Sequence, residues 1–321
     1  MIAVPLPATS IRMTDEERQK IFAMNASSIH EIGKTSYLRG LQCARSLVLH
    51  RRHPELRDTP GPGLEARALS GKEVERCARS LFPGGVTVGD DVSVNPEGAL
   101  RRTRELIEER RPVLYEAAFL RDGVICVVDI LVLGERGWRA FEVKSGTGMR
   151  PSYIDDVSLQ YLVMRRCGLP VESFSLLYLN RNYVRTRQIE PRAMFIEKPV
   201  LERAIKNLDS TGENIEKLKR ALGQPGIPEA DIGERCFAPY RCDFISHCWG
   251  DVPEDSVFDL TGFPRCRARE LYCSGIRTIA DIPPQEPLTE AQRIQRDCVI
   301  NRVDHVDVRG IAGFVNSLNY P

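Results

Sequence analysis

Between Val113 and Lys144 the chain carries three short runs rich in β-branched and aromatic residues: Val113–Leu120, Val124–Leu133 and Trp138–Lys144. Only Arg121-Asp122-Gly123 and Gly134–Gly137 separate them. Both junctions are turn signals, so this stretch predicts a meander of three adjacent strands. The middle run, VICVVDILVL, is apolar except for Asp129. A lone ionised carboxylate inside such a strand costs several kcal/mol unless it is paired or bound to a metal. Asp129 is therefore either tied to a structural partner, such as an arginine or a strand-end hydrogen bond, or retained for chemistry.

The segments on either side fix the fold class. Residues 34–55 predict a helix through Tyr37, Leu38, Leu41, Leu47 and Leu49, broken by the DTPGPG stretch at Asp58–Gly63. Residues 64–82 predict a second helix, stopped by Pro83-Gly84-Gly85, and residues 97–111 a third. After the meander, residues 153–167 return to helical spacing. Phe174–Leu179 reads as a strand, Met194–Ile196 as a shorter one, and residues 199–222 as a charged helix. Helices, a meander, and a helix crossing to a further strand make an α/β fold with a mixed sheet.

With 321 residues there is room for two domains. Residues 1–33 read as a flexible N-terminal extension with a short helix near 15–23, residues 34–250 as the main domain, and 255–321 as a helical tail. Within the tail, LTGFPRCRARELYCSGIRTIADIPP suggests two short helices around Gly275, a helix-hairpin-helix-like unit. The 45 basic and 44 acidic residues exclude an overall polycationic coat but leave room for a local basic groove. No apolar run approaches the roughly 18 residues of a membrane span. No apolar signal core opens the chain, so a soluble cytoplasmic protein is expected. There is no internal repeat and no Gly-rich phosphate loop.

Twelve residues separate Asp129 from Glu142, enough for one turn and an adjacent strand. In FEVK, strand alternation puts Glu142 and Lys144 on one face, Phe141 and Val143 on the other. Asp129, Glu142 and Lys144 can thus converge. Two carboxylates suit a hard cation such as Mg²⁺, which polarises a phosphodiester oxygen and helps generate hydroxide. A lysine ammonium adds a compact point charge that the broad guanidinium of arginine cannot replace. The chain has eight lysines against thirty-seven arginines, and between Lys72 and Lys198 the only lysine is Lys144.

VVDI, then FEVKSGTG, then a helix bearing Gln160-Tyr161 resembles the PD-(D/E)XK nuclease superfamily. Within it the likeness is to the RecB-like branch, which includes the CRISPR-associated adaptation exonucleases and the AddB nuclease domain. The resemblance implies a restriction-endonuclease-like core and a metal-dependent nuclease. Asp129 and Glu142 would hold Mg²⁺ or Mn²⁺, with the Val143 carbonyl completing the site. Lys144 would be the catalytic lysine, and Gln160 and Tyr161 would face the substrate. Glu116, in VLYEAAF, would be a further ligand or water-holder. The chain departs from the pattern at Val128, where the superfamily name has Pro. It departs again in GKEVERCAR, which offers Glu73 and Glu75 but no His, and in the adjacency of Gln160 and Tyr161.

Ten cysteines are too few for a secreted disulfide scaffold. Cys236, Cys242 and Cys248 form a C-x5-C-x5-C pattern with Pro239 between the first two. A zinc ribbon wants paired C-x2-C knuckles, which are missing; a cubane cluster takes four thiolates at looser spacing. Three separate thiols, zinc and a cluster all stay open, with Cys43 as the candidate fourth ligand. The other six cysteines sit singly and read as small apolar residues.

An upstream Cys and a C-terminal triplet around such a core resemble the iron–sulfur subset of RecB-like nucleases. A closer likeness is to a bacterial family that joins this nuclease to a C-terminal DEDD exonuclease-like domain. It is carried by Lys34–Cys43, Ala78–Val86, Cys236–Trp249 and Glu270–Pro284. The resemblance implies a [4Fe–4S] cluster on Cys43, Cys236, Cys242 and Cys248. That cluster would clip residues 193 apart, a loop closure worth on the order of several kcal/mol. In that family the DEDD domain opens just after a sequence like Ser317–Pro321. A DEDD domain on the same chain, or a helicase, is therefore an expected partner.

Candidate phosphate contacts are Arg51, Arg52, Arg165, Arg166, Arg181, Arg185 and Arg187. RNYVRTR interleaves Tyr183 with arginines, as a backbone-plus-stacking surface for nucleic acid does; a solvated edge of an Arg-rich chain has the same composition. Backbone N–H groups near Gly275 suit phosphates, or the tail is a packing linker. The function expected is a Mg²⁺- or Mn²⁺-dependent DNA nuclease, exonuclease ahead of endonuclease, in repair, recombination or phage defence. Two rivals stand beside it: a catalytically weak nucleic-acid-binding module, and a zinc-stabilised scaffold whose acidic pair is incidental.

Overall fold

The computed structural model describes residues 32–59, 63–89 and 92–318. The helix expected near 15–23 lies outside them. The chain divides into two compact units, one reaching to Arg52 and running from Thr59 to Pro228, the other made of His53–Asp58 and the chain from Glu229 on.

Apart from a single turn at Pro191–Met194, the helices of the first unit are α1 (Lys34–Gln42), α2 (Ala44–Arg52), α3 (Gly63–Arg79), α4 (Pro96–Glu108), α5 (Pro151–Arg166), α6 (Leu201–Lys206) and α7 (Leu208–Gly223). Its strands are β1 (Ile32–Gly33), β2 (Val86–Thr87), β3 (Val113–Arg121), β4 (Val124–Leu133), β5 (Trp138–Lys144), β6 (Val171–Leu179) and β7 (Phe195–Pro199). They form one seven-stranded mixed sheet in the order β2-β3-β4-β5-β6-β7, with β1 attached to β4. The meander forms as expected. β3 and β4 pair antiparallel around Asp122-Gly123, where φ is 49° and 69°, the left-handed pair of a tight hairpin. β4 and β5 are antiparallel, and α5 then crosses to β6, which pairs parallel to β5.

Helices cover both faces. On one, Val74 and Ala78 of α3 lie over Tyr115, Ile130, Phe141 and Leu177. On the other, α4, α5 and α7 bury Leu106, Val157 and Leu218 against Leu114, Leu131, Ala140 and Leu176. Alternation along β5 is as read from FEVK: Ala140 faces α5, while Phe141 and Val143 face α3.

Two expected helices are each two. The one expected over 34–55 breaks at Cys43, whose backbone is extended (φ −162°, ψ 114°) and whose N–H caps α1 on the Arg39 carbonyl. The break lets each short helix bury its own face, Tyr37 and Gly40 from α1 and Ser46–Leu49 from α2. The helix expected over 199–222 breaks at Asn207 between α6 and α7. Ile32 and Gly33, assigned to the extension, pair with Val124 and Ile125, and Ile32 is fully buried.

In the second unit, Val257, Leu260, Ala268, Leu271, Ile279 and Ile282 form a small core. Apart from a single turn at Ile245–Cys248, its helices are α8 (Arg265–Cys273), α9 (Glu290–Asn301) and α10 (Val308–Ser317). Gly275 has φ +93° and turns the chain after α8. The second short helix expected there is a single 3₁₀ turn, Ile279–Asp281, capped by Thr278. Pro283 and Pro284 follow at once and cannot extend it. Among the described residues no helix is long and apolar enough to cross a membrane.

Candidate active site

A strand has two edges. β3 occupies one edge of β4 from Val124 to Val132 except at Asp129, opposite which Glu116 leaves the register. The other edge is shared: β1 pairs at Val124 and Ile125, and β5 from Ile130 onward. Between them, Cys126–Asp129 have no strand partner on that side among the described residues. The gap is a notch in the middle of the sheet, bordered by the end of β5 and by the start of α1.

Asp129 stands in the notch. Its Oδ2 accepts a hydrogen bond from the Val143 N–H at 2.7 Å, a side-chain bond where the β4–β5 ladder has stopped. Glu142 and Lys144 project on the same face, toward α5. From α5 come Asp156 and Gln160, four residues apart and so on one side of the helix. Glu142, Asp156 and Gln160 are fully buried. Lys144 Nζ lies 2.6 Å from Glu142 Oε1 and 2.5 Å from Asp156 Oδ2. Gln160 Nε2 donates to Glu142 Oε2 and to Asp156 Oδ1, each at 2.8 Å. Both amide hydrogens are thereby committed to carboxylates, and Gln160 Oε1 is left buried without a hydrogen-bond partner. A second lysine closes the set. Lys34, the first residue of α1, donates to Glu142 Oε1 and lies 3.4 Å from Asp156 Oδ2.

The charges act on one another strongly. Burial and the Glu142 charge push Asp129 up to about 8, with Lys34 and Lys144 pulling the other way. Burial also opposes ionisation of Glu142, yet Lys144 and Lys34 together hold its carboxyl well below the usual range. Burial likewise disfavours a charged Lys144, but Glu142 and Asp156 keep the ammonium protonated; Lys34 is held in the same way by Asp156 and Glu142. Burial and the Glu142 charge thus favour the protonated form at Asp129, while the two lysines favour the ionised form at Glu142.

Other expected site residues lie elsewhere. Glu116 has φ 59°, a left-handed backbone inside a strand that costs of order 1–3 kcal/mol. Its carboxylate meets Arg79 of α3 at 2.7 Å, and Arg79 also pairs with Glu75 at 2.5 Å. No hydrogen bond or ion pair joins Glu116 to Asp129 or Glu142. Glu75 is the α3 carboxylate whose charge reaches Asp129. Tyr161, one step round α5 from Gln160, packs against the hydrophobic core. Val143 places its side chain on the opposite face, with only its backbone at the notch.

Arg181 and Arg185 are exposed in the excursion between β6 and β7, as is Arg165 at the end of α5. Tyr183 is half-buried, and its hydroxyl accepts the Glu190 N–H at 3.0 Å, closing that excursion. Arg52, by contrast, spends its guanidinium on the carbonyls of Leu222, Gln224, Pro225 and Gly226 at the end of α7. Arg166 pairs with Asp122 at 3.2 Å.

Cys43 belongs to the first unit and Cys236, Cys242 and Cys248 to the second. No cysteine is in a disulfide. The triplet is half-buried; the chain folds back between its first two members, past a cis Ala238–Pro239 bond, so that the Cys242 N–H meets the Cys236 carbonyl at 2.7 Å. Among the described residues, no three or more His, Cys, Asp or Glu side chains are gathered as a ready-made metal site.

Sequence reasoning missed Lys34 and Asp156. The sequence held only weak signals: Lys34 is one of few lysines, and Asp156 stands one helical turn before Gln160.

No family model matches the chain. No curated protein matches it. Among solved structures it is similar to a crystal structure of an alkaline exonuclease from Laribacter hongkongensis, with 12% identity and a TM-score of 0.29, over 65% of this chain and 90% of that one.

Proposed function

We propose that the first unit is a metal-dependent nuclease of the PD-(D/E)XK type that hydrolyses phosphodiester bonds in DNA. The observation that carries the reading is the meeting of Asp129, Glu142 and Lys144 at one notch, with the buried Gln160 Oε1 left unpartnered beside them. A carboxylate pair and an orphaned amide oxygen form a hard oxygen donor set that fits Mg²⁺ or Mn²⁺. Asp129 and Glu142 would hold the ion, with the Val143 carbonyl. When bound, the ion supplies Lewis-acid charge that polarises a phosphodiester oxygen and acidifies water.

The chain's own groups do the rest. The Val143 N–H fixes the Asp129 carboxylate once its proton has gone. Glu142 and Asp156 hold the Lys144 ammonium as a point donor for charge developing on the phosphate. Gln160 locks both carboxylates in place. Arg165, Arg181 and Arg185 would neutralise backbone phosphates, with Tyr183 as a stacking face. Cys43, Cys236, Cys242 and Cys248 are proposed to carry a [4Fe–4S] cluster of structural role. Their spacing in the sequence supports it, and no catalytic step depends on it.

The test is cleavage of end-labelled single- and double-stranded DNA with Mg²⁺, Mn²⁺ or EDTA. Cleavage should require the metal and should vanish in Asp129→Ala and in Glu142→Ala. Lys144→Arg should be nearly inactive while keeping its affinity for DNA. Binding without cutting would favour the binding-module reading, and neither would favour the scaffold. Wild-type cutting by Lys144→Arg would remove Lys144 from its role.

A further inference from the structure

The acidic centre contains a cation that its proposed chemistry does not use. Lys34 and Lys144 share one oxygen, Glu142 Oε1, while Gln160 takes Oε2. A carboxylate oxygen has two lone-pair directions, so both directions of Oε1 are filled by ammonium groups. No further cation can use that oxygen until one lysine leaves.

The two lysines are not held equally. Both approach Glu142 Oε1 closely, but Lys144 also bridges to Asp156 at 2.5 Å, whereas Lys34 stays 3.4 Å from it. The Lys34 side chain is 26% exposed against 17% for Lys144, so it has a path to water. Its backbone is anchored independently, because Gly33 pairs with Ile125 and α1 starts at Lys34 itself. The four-carbon stem can therefore swing without disturbing the sheet. The first residue of a helix is also an unfavourable place for a cation, and the first turn of α1 contains no acidic residue to offset it. The ammonium is explained by Glu142 and not by the helix.

We propose that Lys34 is a tethered stand-in for the metal: it occupies Glu142 in the metal-free protein, and a divalent cation enters the notch by displacing it into solvent. The inference rests on the metal-site reading above. Charge supports the exchange. Asp129, Glu142 and Asp156 face two ammonium groups, and adding a dication with both lysines in place leaves one surplus positive charge in an enclosed site. Releasing one lysine restores neutrality. By reciprocity, if the metal expels Lys34, Lys34 weakens the metal.

The experiment uses the full chain, stripped of divalent ions and titrated with Mn²⁺ while free Mn²⁺ is followed by electron paramagnetic resonance. In parallel, brief acetylation of amines is quantified at Lys34 and Lys144 by peptide mass spectrometry. Saturating Mn²⁺ should raise labelling of Lys34 about threefold or more and leave Lys144 unchanged, and Lys34→Met should bind Mn²⁺ about tenfold more tightly. Lys34→Gln serves if Lys34→Met fails to fold, and the wild-type labelling needs no variant. If Mn²⁺ binds and Asp129→Asn abolishes binding, but Lys34 labelling does not move or its loss does not tighten binding, the displacement idea is wrong and the metal site stands. If neither wild type nor the Lys34 variants bind Mn²⁺, the metal-site reading fails and takes this one with it.

Discussion

Asp156 offers the sharpest test of how the centre is held together, because it is buried and every oxygen contact is accounted for. Its Oδ2 faces Lys144 at 2.5 Å and Lys34 at 3.4 Å, and its Oδ1 faces the Gln160 amide at 2.8 Å. Asp156→Asn keeps the shape but has one acceptor where two are needed. Whichever way the new amide turns, its N–H₂ meets a donor, either the lysines or Gln160. Removing one member of a buried ion pair costs about 3–5 kcal/mol, and a buried donor left unmet about 1–3 kcal/mol. The two overlap here, so a loss of about 3–4 kcal/mol is expected, a large part of the roughly 5–15 kcal/mol that holds a domain. Urea unfolding of the metal-free protein measures it, provided the slope of free energy against urea is unchanged. The double variant with Lys34→Met should recover about 1–2 kcal/mol, because it removes the surplus positive charge that Asp156→Asn exposes. A single-variant loss under about 1 kcal/mol, or strict additivity in the double variant, would refute this account.

Four shorter tests follow. Because Asp129 is pushed up to about 8 in the metal-free fold, metal must drive its proton off. Mn²⁺ binding should release about 0.9 proton at pH 7 and about 0.1 at pH 9. Calorimetry in two buffers of different ionisation enthalpy counts them, and zero release at pH 7 would contradict the raised Asp129. The same shift means that the Asp129 contribution to metal-free stability is full below about pH 4 and is lost as pH rises through about 8, so Mn²⁺ should raise Tm more at pH 8 than at pH 6. Replacing both Arg181 and Arg185 by Ala should lower the slope of log affinity for DNA against log salt by about two, measured by fluorescence anisotropy. Protein purified without oxygen should be brown with about four iron atoms per chain. Cys43→Ser and Cys242→Ser should each lose the iron, and a colourless protein with one zinc would overturn the cluster.

The meander was readable to the residue in two of its strands, because turn residues and β-branched runs are local signals: β4 and β5 begin and end where the chemistry of their residues says. The shared face of Glu142 and Lys144 followed from strand alternation alone. What was not legible depends on pairing across the chain. Lys34 reaches Glu142 across 108 residues, and nothing near position 34 announces that contact. Asp156 is hidden for a related reason, since one of two adjacent aspartates on a helix reads as a solvent-facing position until its neighbours are known. Glu116 alternates correctly as a strand residue, but its left-handed φ turns the carboxylate toward Arg79, a twist that no propensity of Glu encodes. The helix break at Cys43 is also tertiary, since each half follows its own part of the core.

Five ionisable groups and an amide around one enclosed point are a poor way to stabilise a sheet. Well-packed apolar residues of similar volume do as well or better than buried ion pairs. This chain has such residues in the adjoining positions of the same strands: Ile130, Leu131, Ala140 and Phe141 are all fully buried. Asp129, Glu142, Lys144, Asp156, Gln160 and Lys34, by contrast, all border the stretch where the second edge of β4 is unpaired. If the charges served the fold, nothing would tie them to that gap. A site that must admit a ligand needs both features at one place. Flanking strands and α5 hold the side chains through the hydrogen bonds among them, and the missing pairing leaves an approach to them. The coincidence of charge and gap is what joins the architecture of the sheet to the chemistry proposed for it.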